Sequence, residues 1–399
     1  MTNLAIEQPS KEKLGRINAI DLLQGIAVAI MVANHVLLWW NRDGFLGQID
    51  LFFYISCYLA STAVPTFLLL MGFNMRNSIA RRLQKVSYPK IRKHLLKRGL
   101  LFLLMGFMND SIMAIASLFT NPEAVIPWLI SWELLHIYGS TVFGIYLIYE
   151  VFYQLKSRNI IKGDINPPII ITCSISLVLI PIITVFLQAV FSGVYSLTVL
   201  DPTQTVDIIV FGEVANLSET VQMALARGSF PLFPFLCFGI LGFLLASLRL
   251  YLPTEMGWRK VTTVLAAAFT LIGGFFAIFL KVPVVLALTN YKMPSLSYVF
   301  LIWGYVLFSL LAGLTIFDVK REKDLLPYAK PVIRLSSLTL TFYYAQNLPF
   351  FLDNTLISDR FILSILIILY IGLFMVIAYF WEKKKFKYSL EWILRKLTN

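Results

Sequence analysis

Three histidines occur in this chain, and two of them, His35 and His136, fall inside strongly apolar stretches. His35 closes the segment RINAIDLLQGIAVAIMVANH, fourteen residues beyond Asp21. His136 follows Glu133 by three residues, which puts both on one helix face, where a carboxylate can orient or charge an imidazole. Asp110 sits midway along another apolar run. Ionisable groups at that depth are costly, so they usually mark chemistry or a pathway. An imidazole in an enclosed, partly dry pocket suits a general base or a transient acyl carrier near neutral pH. His35, Glu133, His136 and Asp110 are therefore the candidate catalytic set. The plainer alternative is that each bonds to a neighbouring helix. His94, in a basic loop, reads as an ordinary loop residue.

Membrane-length helices must position these groups. Hydrophobic residues make up 58% of the 399, aromatics 15%, and mean hydropathy is +0.76, far above soluble values. Ten apolar runs reach spanning length, near residues 17–40, 51–73, 99–120, 131–154, 168–191, 231–248, 261–282, 295–317, 332–352 and 360–381. Continuous runs of about twenty residues predict a polytopic all-α transmembrane bundle, not a barrel of alternating strands. Residues 1–381 read as one integral-membrane domain. Residues 382–399, EKKKFKYSLEWILRKLTN, read as a basic amphipathic tail on the inner surface, with Trp392 and the leucines toward lipid. At about 1.5 Å per residue, Asp21 and His35 stand roughly 21 Å apart along their helix.

Of the 34 Lys and Arg, all but six lie ahead of the first run or after the second, fourth, sixth, eighth and tenth. Arg42, Arg227, Lys281, Lys292 and Arg360 lie opposite, and Arg334 near the start of the ninth run. The positive-inside rule then makes both termini cytoplasmic in a multi-pass cell-membrane protein. The net charge of +12 reads as orientation and contact with anionic lipid, not as a nucleic-acid footprint. A removed signal peptide is not expected. Cys57, Cys173 and Cys237 all fall inside apolar runs, and no metal-spaced Cys/His set is present.

Two loops stand out. The stretch 74–98 holds nine basic residues, and Arg76, Arg81, Arg82, Lys97 and Arg98 flank the inner ends of the second and third runs. Clustered cations there could hold the phosphates of a nucleotide-bearing donor, or could serve only topology and lipid attraction. No Gly-rich phosphate loop accompanies them, which disfavours ATP-driven chemistry. The external stretch 192–230 carries Asp201, Asp207, Glu213 and Glu219 and is long enough to cover a cavity.

Several of these segments, in order, resemble the transmembrane acyltransferase superfamily. Its members include heparan-α-glucosaminide N-acetyltransferase, YeiB-like proteins and bacterial O-acetyltransferases. The opening signature resembles Arg16-Ile17, Ala19-Ile20-Asp21, Gly25-Ile26-Ala27 and His35. PTFLLLMGF at 65–73, Lys97-Arg98, LHIYG at 135–139 and FPLFPFLCFGILGFLLA at 230–246 follow. LTFYYAQNL at 340–348, with Tyr343 and Gln346, and LEWILRKLT at 390–398 resemble YeiB-like segments. The resemblance implies transfer of an acyl group, commonly acetyl, from cytoplasmic acyl-CoA to a hydroxyl or amine of an extracytoplasmic glycan or lipid-linked sugar. His35 would take the family histidine's role, and the basic residues would hold the CoA phosphates. Membrane lipids and the acceptor are the expected partners, and a homodimer is allowed. The chain departs from the pattern at Gln24 for arginine, Met71 for serine and Tyr388-Ser389 for Gly-Pro. Competing readings are a proton-coupled carrier or flippase using Asp21, Asp110, Glu133 and His35, and a catalytically inactive relative.

Overall fold

The computed structural model describes residues 17–40, 51–120, 125–129, 132–192, 221–227, 230–281, 294–317, 322–347 and 360–398. Among the described residues every long regular element is a helix, and eight helices are long and apolar enough to cross a membrane. This is the expected polytopic helical bundle. In order, the longer helices are α1 (Asn18–Trp40), α2 (Leu51–Leu83), α3 (Tyr88–Thr120), α4 (Val125–Leu129), α5 (Leu134–Ser157) and α6 (Asn166–Ser192). After a π turn at Met223–Arg227 come α7 (Leu232–Tyr251), α8 (Glu255–Phe279) and α9 (Leu296–Ile316). The chain ends in α10 (Glu322–Ser336), α11 (Thr339–Ala345), α12 (Arg360–Lys383) and α13 (Leu390–Thr398).

Helix α7 is apolar all round, as a central helix must be. Some 78% of its apolar window is buried, against 17% for the peripheral α12. Its Phe238 meets Trp303 of α9 edge-on at 6.3 Å, and Phe235 and Phe243 share the same core with Trp258 of α8. Small residues let α2 pack directly on it. A Cβ on Gly72 would lie 1.9 Å from the Gly239 carbonyl oxygen, and one on Gly242 would lie 1.8 Å from that of Leu69. Polar anchors complete the frame. Tyr298 donates to the Ser61 carbonyl at 2.8 Å, and Trp258 Nε1 donates to that of Leu245 at 3.0 Å.

One expected span is not continuous. The run at 332–352 is split within the described residues into amphipathic α10 and the seven-residue α11, with Ser337 and Leu338 in a turn between them. The last turn of α10 closes through Ser337 N–H to Arg334 O at 3.1 Å and Leu338 N–H to Leu335 O at 3.0 Å. Arg334 is paired with Glu382 at 2.7 Å, which ties α10 to the end of α12. The tail helix packs against α3 and α11. Leu394 points inward and is buried, while Ile393 and Leu397 are exposed and Trp392 is half-buried.

The α2–α7 contact predicts that Gly242→Val destabilises the bundle by at least the roughly 1–3 kcal/mol that overpacking costs, because backbone oxygen cannot rotate away. A thermal unfolding scan in detergent should show a large fall in the transition temperature, and an unchanged transition would contradict this packing.

Candidate functional site

A cavity of about 380 Å³ opens between α1, α2, α3, α5, α11 and α13. Helix periodicity explains which side chains reach it. Phe67, Met71, Asn74, Ser78 and Arg82 follow one face of α2, and His94, Arg98 and Phe102 follow one face of α3. Gln24 and Met31, two turns apart on α1, form another wall. Leu134 and Tyr138 of α5 and Tyr343 of α11 close the deep end. Helix α13 contributes Glu391, Leu394, Arg395 and Thr398, the i, i+3, i+4, i+7 face of an α-helix.

The cavity is polarised. At the end beside the α2–α3 turn it carries Arg82, Arg98, Arg395 and His94, and at the other it is apolar and aromatic. Arg98 stacks on Phe102 at 5.6 Å, and its Nε is buried without a hydrogen-bond partner among the described residues. Among the described residues Glu391 is the one carboxylate lining the cavity, and it is engaged. Its Oε1 accepts from the backbone N–H groups of Leu340 and of Thr341 (3.0 Å), and its Oε2 accepts from the Thr341 hydroxyl at 2.7 Å. Leu340 and Thr341 are the second and third residues of α11, whose N-cap residue, Leu338, has no polar side chain. Glu391 thus acts as an N-cap supplied from another helix.

His35 lies one turn beyond Met31. Its Nδ1 is 2.9 Å from the Met31 carbonyl oxygen, which can only accept, so Nδ1 carries the proton and the lone pair resides on Nε2. His136 has the opposite arrangement. Its Nδ1 accepts the Glu133 backbone N–H at 3.2 Å, so its proton sits on Nε2, 3.7 Å from Asp110 Oδ2. His136 and Asp110 are 0% and 1% exposed. Trp132 stacks on the His136 ring at 4.9 Å, Phe107 meets it edge-on at 4.7 Å, and a Cβ on Gly106 would come within 2.8 Å of it. The lone pair needed for base chemistry is therefore committed in His136 and available in His35.

The other expected residues are dispersed. Arg82 and Arg98 line the cavity, whereas exposed Arg81 does not. Lys97 donates to the Leu397 carbonyl at 3.4 Å, at the end of α13. Arg76 is buried among α5, α6 and α7, with Asn166 and Ser247 as partners and the Tyr149 ring 5.6 Å away, so it serves as an interhelical clamp. Gln24 Nε2 donates to Thr339 Oγ1 at 2.9 Å and weakly to the Ser336 carbonyl at 3.4 Å, joining α1 to the α10–α11 break. Asp21 does not line the cavity. Gln346 is 1% exposed, with neither amide atom hydrogen-bonded among the described residues. Of the 192–230 stretch, residues 193–220, 228 and 229 lie outside the described residues, as do Arg16 and Arg42. Sequence reasoning set His94 aside, yet its Nδ1 donates to the Thr398 carbonyl at 3.0 Å and it lines the cavity. It also gave no role to Glu391, Arg395, Tyr138 or Gly106; the spacing 391, 394, 395, 398 was the available signal.

Residues 17–134, from α1 to the start of α5, match the model of a family described as an acyltransferase domain. No curated protein matches the chain. The bundle and the match together support a membrane acyltransferase in general.

Removing the Glu391 carboxylate should loosen the tail. In Glu391→Ala the α11 N–H groups lose their cap, at a cost of about 0.5–2 kcal/mol. Limited trypsin digestion should then cut faster at Lys383 to Lys387, and cutting at the wild-type rate would refute the capping role.

Proposed function

We propose that the protein is an integral-membrane acyltransferase. It moves an acyl group, acetyl in the simplest case, from acyl-CoA at the basic end of the bundle to a hydroxyl or amine of a glycan or lipid-linked sugar approaching from the other end. The observation that carries this reading is the polarity of the cavity: guanidinium groups at the mouth and an apolar, aromatic sleeve beyond, with Met31, whose carbonyl holds the His35 ring, among its lining residues. A phosphate-bearing head with a long, largely uncharged arm matches that profile. The distribution of Lys and Arg supports a cytoplasmic basic end in the cell membrane, with both termini on that side.

In this reading Arg82 and Arg98 hold the donor phosphates in forked, charge-assisted hydrogen bonds. His35 Nε2 takes the proton from the acceptor O–H or N–H as that atom bonds to the thioester carbonyl carbon. The carbon–sulfur bond then breaks, and the leaving thiolate takes up the proton from His35. Hydrogen bonding of Nδ1 to Met31 keeps the base in the required tautomer and orientation. The buried Asp110–His136 pair, packed on Gly106, holds α3 against α5 and is a positioning element. Gln24 keeps the hydrogen-bonding geometry between α1 and α11 without the family arginine's charge, so Arg82 and Arg98 supply the cationic field.

The test is transfer of labelled acetyl from acetyl-CoA to a panel of sugar acceptors by purified protein in nanodiscs. Wild type should transfer label, and His35→Ala should lose about 10²–10⁴-fold, the usual worth of general base catalysis. His136→Gln should lose less once corrected for folded fraction. Full activity in His35→Ala, or movement of a sugar across vesicles with no acyl-CoA present, would sink the proposal.

A further inference from the structure

The tail helix has the composition of a surface anchor, but its polar face is turned into the protein. Glu391, Leu394, Arg395 and Thr398 line the cavity, and the helix is fastened at both ends. At its start Leu390 N–H donates to Thr341 Oγ1 at 3.1 Å and Glu391 caps α11. At its end His94 Nδ1 donates to the Thr398 carbonyl at 3.0 Å, and Lys97 Nζ to that of Leu397 at 3.4 Å, satisfying two carbonyls that a helix terminus leaves open.

We propose that Arg395 completes, with Arg82 and Arg98, a three-guanidinium site for a phosphate-bearing ligand, so that the C-terminal helix is a wall of the binding site and not only a membrane contact. The identity of that ligand as acyl-CoA rests on the reading above; the phosphate chemistry does not. Three observations support it. The cavity mouth holds three guanidinium groups, and Glu391, the one carboxylate lining the cavity among the described residues, has both oxygens occupied by α11. The Nε of Arg98 is buried with no acceptor among the described residues, although guanidinium groups in such places normally carry one. Arg395 spends only Nε, in a 3.4 Å contact to the Glu391 carbonyl, which leaves the terminal nitrogens for a phosphate fork.

Lys396 provides the control. It carries the same charge one residue on, lies outside the cavity, and stacks on Trp392 at 4.2 Å. Calorimetric titration of the full-length protein with two probes, coenzyme A and inorganic pyrophosphate, tests the site. Arg395→Ala should bind both about tenfold more weakly, the loss expected for one charge-assisted contact, while Lys396→Ala should stay within about twofold. Arg395→Lys should fall between, since it keeps charge but not the fork. Trypsin cutting at the 383–387 linker should be unchanged in Arg395→Ala, showing that the helix remains docked. Equal affinity of Arg395→Ala and wild type overturns the inference while leaving the donor reading intact. Binding of pyrophosphate but not coenzyme A, weakened by Arg395→Ala, upholds the inference and removes acyl-CoA as the donor. If wild type binds neither probe, both fall.

Discussion

The architecture turns on a break in the backbone between α10 and α11. Where a chain leaves the helix within an apolar bundle, the N–H and C=O groups it frees must find partners inside the protein. Leu338 has no polar atom with which to cap α11, so the cap comes from Glu391 on the C-terminal helix. On the other side the Gln24 amide reaches Thr339 and the Ser336 carbonyl. Three segments far apart in sequence, in α1, α11 and α13, therefore converge on one unsatisfied turn. The polarised cavity is the space left between that junction and the facing stripes of α2 and α3. The fold thus brings a basic mouth and the Gln24–Met31 wall of α1 together through the same hydrogen bonds that repair the break.

The helical bundle was legible in the sequence because apolar runs of membrane length leave helices as almost the only solution. The ninth run misled for an identifiable reason. Leu335, Leu338, Leu340 and Phe342 keep the average hydropathy high across a segment that also holds Ser336, Ser337, Thr339 and Thr341. Averaging cannot register that two backbone N–H groups there are satisfied by a carboxylate much later in the chain. The amphipathic pattern of the tail is legible in the sequence, and Ile393 and Leu397 are exposed, but the burial of Leu394 and the cavity facing Glu391, Arg395 and Thr398 are not. A pattern shows which residues share a face, not whether the polar face meets water or a polar cavity.

The same limit governed the basic loop. Topology predicts how many cations gather at one end of the bundle and is silent on which of them point inward. Helical phase makes that selection. Arg82 is one turn from Ser78 and continues the cavity stripe of α2, whereas Arg76 is two residues out of phase with Ser78 and emerges among α5, α6 and α7. Arg98 is flanked a turn away on either side by His94 and Phe102, both cavity residues, while Lys97 is rotated off that stripe and reaches the tail. The histidines required geometry of another kind. Both lie in apolar runs that also hold an acid, yet the partner of Nδ1, a carbonyl for His35 and an N–H for His136, separates a ring able to accept a proton from one whose lone pair is taken.

The terminal L-E-W-x-x-R pattern acquires a physical account here. Glu391 and Arg395, four residues apart, share a helix face. The carboxylate is spent on the backbone of α11 and the guanidinium stays at the cavity, so one short motif both docks the helix and charges the site. Tyr388 and Ser389, which stand where the resembled YeiB-like segment has Gly-Pro, lie immediately ahead. Tyr388 adopts φ 66°, the left-handed conformation that glycine enters freely and that costs other residues about 1–2 kcal/mol. Its ring, 5.3 Å from that of Trp392, recovers part of this cost, and Ser389 caps the new helix by accepting the Trp392 N–H at 3.2 Å. The turn that glycine would make is thus kept without glycine, and the helix still presents Glu391 and Arg395 in register. Gln24 follows the same logic: it stands where the resembled signature has arginine, and its amide bonds α1 to the α10–α11 junction at the wall of the cavity.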